Sequence, residues 1–230
     1  MRQPLALATL ACAVICVLVA GCGDTIGNAE PTTTTPSMIP RPLVERELVE
    51  LLLSPEQVNA AMGATAMTVT NAQTSMSDNS ATMAPPECLA LDGAAEAAVY
   101  ADSGFRAERD QSLNDGDNFT HYLKQAVVLF PLVEKAGAFL EASAQQWPAC
   151  HQYTHLQSGS QWSVGQISNA NGTLSATVTE LNASAPGWGC GRALALKNNV
   201  IIDINTCSAN PADSAVKIAN QIAANVTARW

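Results

Sequence analysis

The residue with the clearest chemical role is Cys22, which follows Leu-Val-Ala-Gly at residues 18–21 and ends an apolar run that begins at Leu5. Small residues before a cysteine, placed where an export signal is cleaved, are typical of a bacterial lipobox. In that motif the thiol is joined to diacylglycerol and the chain is cleaved before the cysteine. The apolar run is shorter than the about 20 residues that span a bilayer, which predicts a lipoprotein signal peptide over residues 1–21. The alternative is a signal that is cleaved elsewhere or retained, in which case Cys22 has no role.

The lipobox also predicts the compartment, because acyl chains would hold the protein at the cell membrane on its extracytoplasmic face. Each methylene group buried in the membrane contributes roughly 0.8 kcal/mol to membrane binding, so two or three acyl chains anchor the protein stably. Residues 22–42 carry the lipidated cysteine and a tether rich in Pro and Thr, which is expected to stay extended. The remaining residues, 43–230, are enough for one domain with a substantial core.

The other cysteines indicate disulfide bonds. Of seven cysteines in the chain, two lie in the signal peptide and one is Cys22. An even number in an exported domain predicts paired bridges, with three possible connectivities. The four cysteines left in the domain are Cys88, Cys150, Cys190 and Cys207.

A predicted hairpin chooses between those connectivities. Strand-like runs flank the two asparagines at 198–199, which can form a two-residue type I′ turn. If Lys197 faces Val200, counting outward places Cys190 opposite Cys207 at a non-hydrogen-bonded position, where Cα atoms lie about 4.5 Å apart. A disulfide tolerates that separation, so these two cysteines are predicted to pair. The other two then pair by elimination, unless a bulge or a longer loop breaks the count.

The histidines are the first candidates for a metal or catalytic site. His151 and His155 have metal-like spacing if they lie on a helix, but the residues between them predict a strand, in which they would be about 13 Å apart. The sequence also contains no Gly-x-Ser-x-Gly elbow and no Cys-x-x-Cys motif. We therefore expect no metal, no cofactor and no enzymatic activity. A hydrolase assembled from distant residues, such as a serine with His121 and Asp203, is the least favoured alternative.

The charge distribution excludes some partners, and the aromatic residues suggest others. The chain has 11 Lys and Arg against 20 Asp and Glu, a net charge of −9, and no basic run. Binding of nucleic acid and of anionic lipid head groups is disfavoured, because both need clustered cations.

Tryptophans can line a ligand pocket, although packing in a core is their commoner role. The four are Trp147, Trp162, Trp188 and Trp230.

Helices are predicted at four places in the domain. Residues 54–57, Ser-Pro-Glu-Gln, form a capping box for a helix that ends at Gly63. Residues 94–102 and 132–147 have helical composition or spacing, whereas residues 71–87 are polar and predict a long loop. Asn-Pro-Ala-Asp opens a last helix, whose expected apolar stripe is Val216, Ala219, Ile222, Ala223 and Val226.

Strand patterns dominate the second half of the chain, at short intervals that predict antiparallel neighbours. Asn171-Gly172 is a strong signal for a hairpin between two of them. Together with the helices, these strands predict an α+β domain in which an antiparallel sheet is packed by three or four helices and braced by two disulfides. The predicted strands are 105–111, 121–130, 151–156, 161–168, 173–182, 190–197 and 200–207.

Four segments together resemble the PknH-like extracellular sensor domain of mycobacterial envelope proteins. They are residues 51–63, residues 146–150, the hairpin at 189–207 and the helix at 216–226, and the resemblance covers about residues 48–228. It implies an α+β fold with two disulfides and a cleft for a ligand. In that family the domain is the outer part of a receptor serine/threonine kinase or stands alone on lipoproteins. We expect this chain to depart from the kinase form, because its sequence predicts neither a kinase domain nor a membrane span.

The leading hypothesis is a lipid-anchored, sensor-like domain that binds a small or envelope-derived ligand in a cleft. Its support is a disulfide-braced domain on a tether without a recognisable catalytic motif. The alternative is a module that presents its surface to another envelope protein, which an exposed apolar patch and the absence of a deep pocket would favour. The sequence does not indicate which residues line a cleft.

Overall fold

The computed structural model describes residues 40–229, which form a central antiparallel sheet with helices on both faces. The sheet has ten strands. The α+β prediction is therefore confirmed. The predictions for the signal peptide and for Cys22 fall outside the described residues.

The ten strands are β1 (Thr68–Gln73), β2 (Met83–Ala84), β3 (Ala107–Asn114), β4 (His121–Leu129), β5 (Gln152–His155), β6 (Gln161–Val164), β7 (Ser168–Ala170), β8 (Thr173–Leu181), β9 (Trp188–Lys197) and β10 (Val200–Ala209). Their order across the sheet is β1-β3-β4-β10-β9-β8-β6-β5-β2, and β7 pairs with β8 beside this path. In the second half of the chain they follow the predicted segments, except that the strand predicted at 161–168 is divided into β6 and β7. The helices are α1 (Pro55–Met62), α2 (Leu89–Asp92), α3 (Ala97–Tyr100), α4 (Val133–Gln146) and α5 (Ser214–Thr227), with 3₁₀ helices at Glu45–Leu51, Ser80–Thr82, Pro86–Cys88 and Trp147–Ala149.

One face of the sheet is covered by α5, α1 and the first 3₁₀ helix. Apolar side chains of β4, β9 and β10 pack there against the buried residues of α5, which are Ser214, Ala215, Ile218, Ala219, Ile222 and Val226. Val216 and Ala223 of the predicted stripe are only partly buried at its margin. Gln125 of β4 is buried beneath this layer and bonds both the N–H and the C=O of Leu53 at 2.9 Å. The segment before α1 is thus held to the sheet by hydrogen bonds between the Gln125 side chain and the Leu53 backbone as well as by packing.

The opposite face carries a second core under α4, α2 and α3. Trp147, Tyr100 and Phe130 are its largest fully buried side chains. Near one end of the strands this face is left open, and polar side chains replace apolar ones. This change divides the face into a packed region and a concave, solvent-accessible region.

Both predicted disulfides are present in the structure. Cys190 lies directly opposite Cys207 in the β9–β10 register, with Cα atoms 4.1 Å apart. Cys88 is bonded to Cys150, with Cα atoms 5.1 Å apart across a separation of 62 residues. The turn between β9 and β10 differs from the expected type I′. Asn198 has a φ of 53°, but Asn199 is not among the residues with positive φ, whereas a type I′ turn requires positive φ at both central residues.

Asn199 has a different role from the one its turn position suggests. Its side chain is buried and bonds the N–H of Leu43 at 2.8 Å and the C=O groups of Leu43 and Phe130 at 3.1 and 2.8 Å. The point at which the chain enters the fold is therefore held at the turn end of the β9–β10 hairpin.

Two predictions for the first half of the domain were wrong. The predicted loop at 71–87 begins within a strand, because β1 pairs with β3 through Gln73. This strand lies at the sheet edge with mostly exposed side chains, so it lacks the apolar pattern that marks a strand. The predicted helix at 94–102 is reduced to α3, because Ala95 adopts a φ of 51° and its N–H bonds Asp203.

Candidate functional site

The open part of the sheet is a cleft of about 350 Å³. Its walls come from β1 and β3 on one side, from β5 and β6 on the other, and from the segments at 77–79 and 92–96. Strands β1 and β5 lie near opposite ends of the strand order, so the sheet must curl strongly to bring both to one cavity. The cleft is a product of this curvature and of no single sequence segment.

The floor of the cleft is formed by neighbouring strands whose side chains point to the same face. Tyr122, Cys207 and Cys190 are successive register partners across β4, β10 and β9, and Lys124 is paired with Asn205 in the next row. All five line the cleft. The disulfide therefore closes the floor as well as joining the strands.

The glycine-rich segment before this disulfide is explained by close packing. A Cβ atom at Gly189 would lie 2.6 Å from the carbonyl oxygen of Val178 on β8, and one at Gly191 would lie 3.0 Å from Oγ1 of Thr206. Glycine at these two positions allows the backbone of β9 to lie close to β8 and β10. This arrangement gives the segment a structural role.

A buried lysine organises the polar side of the cleft. Nζ of Lys124 lies 3.2 Å from Oγ of Ser77 and 3.7 Å from Oδ2 of Asp110. The Asp110 side chain is fully buried, and this burial raises its pKa even though Lys124 lowers it. Gln73 of β1 adds a bond of 3.5 Å to the other Asp110 oxygen. The positive charge of Lys124 is therefore already balanced inside the protein.

Glu96 lies on the same wall and is held by a backbone and a side-chain donor. The N–H and the side-chain amide of Asn79 donate to it at 3.0 and 2.8 Å. Burial raises the pKa of Glu96, and the two bonds from Asn79 oppose that shift. A Cβ atom at Gly93 would lie 2.7 Å from Oε1 of Glu96, so glycine leaves the room that this carboxyl group occupies.

Asp92 and His155 face each other on the opposite wall. Nε2 of His155 is 2.6 Å from Oδ1 of Asp92, and both side chains are partly exposed. The hydrogen bond to Asp92 raises the pKa of His155, although burial opposes the shift. The backbone C=O of Asp92 also accepts a bond of 2.6 Å from Asn205. Asp92 is thus held to the floor through Asn205 and to β5 through His155.

A buried ion pair holds the wall at 90–96 in place. Arg192 and Asp203 are joined at 2.8 Å with side-chain exposures of 2% and 3%. Asp203 also accepts from the N–H of Ala95 at 2.9 Å and from the hydroxyl of Tyr100 at 3.0 Å. Arg192 donates to the C=O groups of Ala90 and Ile204 and lies over the ring of Trp147. The sheet and the wall at residues 90–96 are therefore joined by charge-assisted hydrogen bonds that are shielded from solvent.

Aromatic side chains stand at two sides of the cleft. On one side, Phe119 lies 6.1 Å from Tyr122 and 6.2 Å from Trp188, measured between ring centroids. On the other side, Trp162 lies 5.8 Å from His155 and stacks on Tyr153. The loop that carries Phe119 is tied down by Asp115, which accepts bonds from Thr120 and His121. The cleft thus offers flat apolar surfaces beside its polar groups.

Glu108 is an unusual carboxyl group on the same face of β3 as Asp110. Its residue is 2% exposed, and neither side-chain oxygen has a hydrogen-bond partner among the described residues. Burial, helped by the nearby negative charge of Asp110, raises the pKa of Glu108 to about 7. The protein therefore carries a proton at this position over much of the acid range.

Substitution Glu108→Gln should increase stability at alkaline pH. Below the ordinary pKa of 4.5, the carboxyl group is protonated in both folded and unfolded chains and contributes no pH dependence. Between that value and about 7 the unfolded chain loses the proton first, so wild-type stability falls as pH rises. We expect the variant to match wild type at pH 4 and to exceed it by about 2 to 3 kcal/mol at pH 8. Urea unfolding at both pH values measures this difference.

The control for this prediction is Glu134→Gln, on the exposed side of α4, which should follow the wild-type pH profile. Equal stability of Glu108→Gln and wild type at pH 8 would contradict the assignment of a proton to Glu108.

The structure separates most of the candidate residues predicted from the sequence. His151 is exposed, His155 is paired with Asp92, and His121 with Asp115. Asp203 is enclosed by its own partners, so it forms no triad with His121. Within residues 40–229, no group of three or more metal-ligating side chains is found. Of the tryptophans, Trp162 and Trp188 line the cleft and Trp147 is core, while Trp230 lies outside the described residues.

Sequence reasoning missed the polar groups that define the cleft. Lys124, close to the apolar run at 126–130 of the predicted strand, was the strongest available signal, because a lysine is almost never fully buried unless it is paired. Asp92 and Glu96 gave no comparable signal, since their positions depend on the fold of the short segment between them.

In the described part of the chain, no helix is long and apolar enough to cross a membrane.

The family model described as the PknH-like extracellular domain matches residues 43–225. The serine/threonine-protein kinase PknH of Mycobacterium bovis is 34% identical over 225 residues, which are 96% of this chain and 37% of the kinase. PknH of Mycobacterium tuberculosis gives the same identity and covers 35% of that kinase. The chain thus spans about a third of the length of these curated relatives.

A solved structure gives the corresponding similarity in three dimensions. The crystal structure of the extracellular domain of PknH from Mycobacterium tuberculosis matches with a TM-score of 0.77 and 32% sequence identity. The match covers 82% of this chain and 98% of that domain. The similar region is therefore the extracellular domain of the kinase and not its catalytic domain.

Proposed function

Because this chain belongs to the PknH-like extracellular domain family, we propose that residues 43–230 are a sensor-like domain that binds a small or envelope-derived ligand in the cleft. The domain performs no catalysis in this proposal. Acyl chains on Cys22 hold it at the extracytoplasmic face of the cell membrane.

The observation that carries the proposal is the cleft itself. Its volume of about 350 Å³ lies within the roughly 300–1,000 Å³ of typical small-molecule sites. Such sites combine apolar and aromatic surface with a few fixed polar groups. Here Lys124, Glu96 and Asp92 are each held by protein partners, so the site is largely formed before a ligand arrives.

The bonding of the cleft residues supports a binding role over a hydrolytic one. His155 is directed at Asp92, while the cleft serines Ser77 and Ser112 contact Lys124 and Tyr122. Among the described residues, none of these serines is hydrogen-bonded to His155, as a nucleophile and its base would be.

The lipid anchor rests on the lipobox at residues 18–22. An extended tether over residues 23–42 would reach about 60 Å at 3.1 Å per residue. That length would let the domain meet ligands well beyond the membrane surface. The similarity to extracellular domains is consistent with this side of the membrane.

One experiment tests both parts: native mass spectrometry of the full chain purified in detergent from its own envelope. We expect the polypeptide mass to begin at Cys22 with added acyl chains, and a noncovalent ligand to remain bound. Asn71→Trp places a large side chain in the cleft from the exposed edge strand β1 and should remove the ligand mass. Ala72→Trp is the matched control, because Ala72 is also exposed on β1 but lies outside the cleft lining.

A ligand retained equally by wild type and by Asn71→Trp would contradict binding in the cleft. A clean polypeptide mass with a co-purifying envelope protein would favour the protein-interaction alternative. An unmodified amino terminus upstream of Cys22 would contradict the anchor.

A further inference from the structure

The cleft adjoins a second cavity that the proposed function does not use. This cavity measures about 310 Å³ and shares Phe119 and Trp188 with the cleft. Its remaining wall comes from Glu180 of β8, from the short loop at 183–185, and from Thr120 and Ala209. The two rings, 6.2 Å apart between centroids, form the boundary between the cavities and contribute surface to both.

The boundary residues are accessible to a ligand that lies across them. Phe119 is 42% exposed, and Trp188 is partly buried with its strand on the cleft floor. Aromatic faces attract the slightly positive C–H groups of a saturated ring. A ligand made of several linked rings can therefore place one ring in each cavity and a junction over the aromatic pair.

The charged groups of the cleft have partners before any ligand binds. Lys124 lies near Asp110, His155 is paired with Asp92, and Glu96 accepts hydrogen bonds from Asn79 that leave its charge in place. An anionic ligand would have to compete with Asp110 for Lys124 or with Asp92 for His155. In the second cavity Glu180 adds a carboxylate, which repels an anion but accepts hydrogen bonds from hydroxyl groups.

The polar groups that remain suit hydroxyls, which both donate and accept hydrogen bonds. Asn71, Gln73 and Asn205 line the cleft with side-chain amides. The amide nitrogens of Gln73 and Asn205 already donate to Asp110 and to the C=O of Asp92, so the amide oxygens of these two residues and both groups of Asn71 are the donors and acceptors offered to a ligand. Carboxylates offer acceptors only. A ligand with many neutral hydroxyl groups on saturated rings matches this combination of amides, carboxylates and aromatic faces.

We propose that the cleft and the second cavity form one extended site for a neutral oligosaccharide, which crosses the Phe119–Trp188 boundary. This inference rests on the proposed ligand-binding function and specifies its ligand class. A chain of at least two sugar units is needed to enter both cavities.

The test is binding of the full, detergent-solubilised chain to an array of oligosaccharides of one to eight units, with neutral, acidic and amino sugars represented. We expect binding to neutral oligosaccharides, at least tenfold tighter for chains that fill both cavities than for single sugars. Ala185→Trp narrows only the second cavity and should reduce binding of long chains to the level of short ones. Phe119→Ala should weaken binding of long chains about tenfold, as loss of a ring contact of about 1.4 kcal/mol would.

The control is Leu132→Ala, which removes a hydrophobic side chain that is 52% exposed and lines neither cavity. Strongest binding to acidic or amino sugars, equal binding at all lengths, or no binding to any sugar would overturn the proposal. If the array shows no binding while native mass spectrometry still detects a ligand that Asn71→Trp removes, only the ligand class is wrong. If both measurements are negative, ligand binding in the cleft is wrong as well.

Discussion

Replacement of Arg192 by methionine is expected to lower the free energy of unfolding by about 3 to 5 kcal/mol, because it leaves a buried carboxylate without its partner. Asp203 would keep the N–H of Ala95 and the hydroxyl of Tyr100 as donors, but these do not neutralise its charge. The C=O of Ala90 would lose two donors from the guanidinium group. Urea unfolding of the purified protein measures the loss.

Two further variants separate the charge effect from loss of packing. Arg192→Met combined with Asp203→Asn removes the isolated charge and keeps an oxygen acceptor for Ala95, so the double variant should be more stable than the single one. Arg229→Met breaks an ion pair with Glu50 whose side chains are 35% and 58% exposed, and it should cost less than about 1 kcal/mol. Equal losses for Arg192→Met and Arg229→Met would contradict the importance of burial.

Removal of the disulfide between Cys88 and Cys150 through the double alanine variant should lower the free energy of unfolding by about 4 kcal/mol in the chain-entropy model. The reason is the long loop of 62 residues that this bridge closes. The bridge between Cys190 and Cys207 spans only 17 residues and should contribute about 3 kcal/mol. Denaturant unfolding of both double alanine variants measures the difference.

The two bridges should also differ in their effect on ligand retention. Cys190 and Cys207 line the cleft, whereas Cys88 and Cys150 do not. In the unfolding experiment, a greater loss of stability on removal of the Cys190–Cys207 bridge, which closes the shorter loop, would contradict the chain-entropy explanation. Retention of ligand by the Cys190→Ala/Cys207→Ala variant at wild-type level would show that the floor does not depend on its bridge.

Several elements could be predicted from the sequence because local interactions determine them. Ser54 and Gln57 form the expected capping box, and Gly63 ends α1 in the left-handed conformation with a φ of 69°. The hairpin at 171–172 and the register that places Cys190 opposite Cys207 also follow from a few adjacent residues. The family resemblance, which depended on the order of such segments, is confirmed by the match over residues 43–225.

The family resemblance implied a cleft, but the residues that line it could not be predicted, because the cleft depends on contacts between distant parts of the chain. Gln73 and His155 line the same cavity although they lie on strands from opposite parts of the sheet. The prediction of a helix over residues 94–102 was wrong for a related reason. The N–H of Ala95 is bonded to Asp203, more than a hundred residues away, and this bond outweighs the helical preference of alanine.

Asn199 holds the start of the described chain away from the cleft. It holds Leu43 at the turn end of the β9–β10 hairpin, while Cys190 and Cys207 lie seven residues further along the strands, roughly 23 Å away. Leu43 therefore lies at the far end of the hairpin from the bridge in the floor of the cleft. Neither Leu43 nor Asn199 lines the cleft, so the bonds that hold the described chain at its entry point are independent of a ligand bound there.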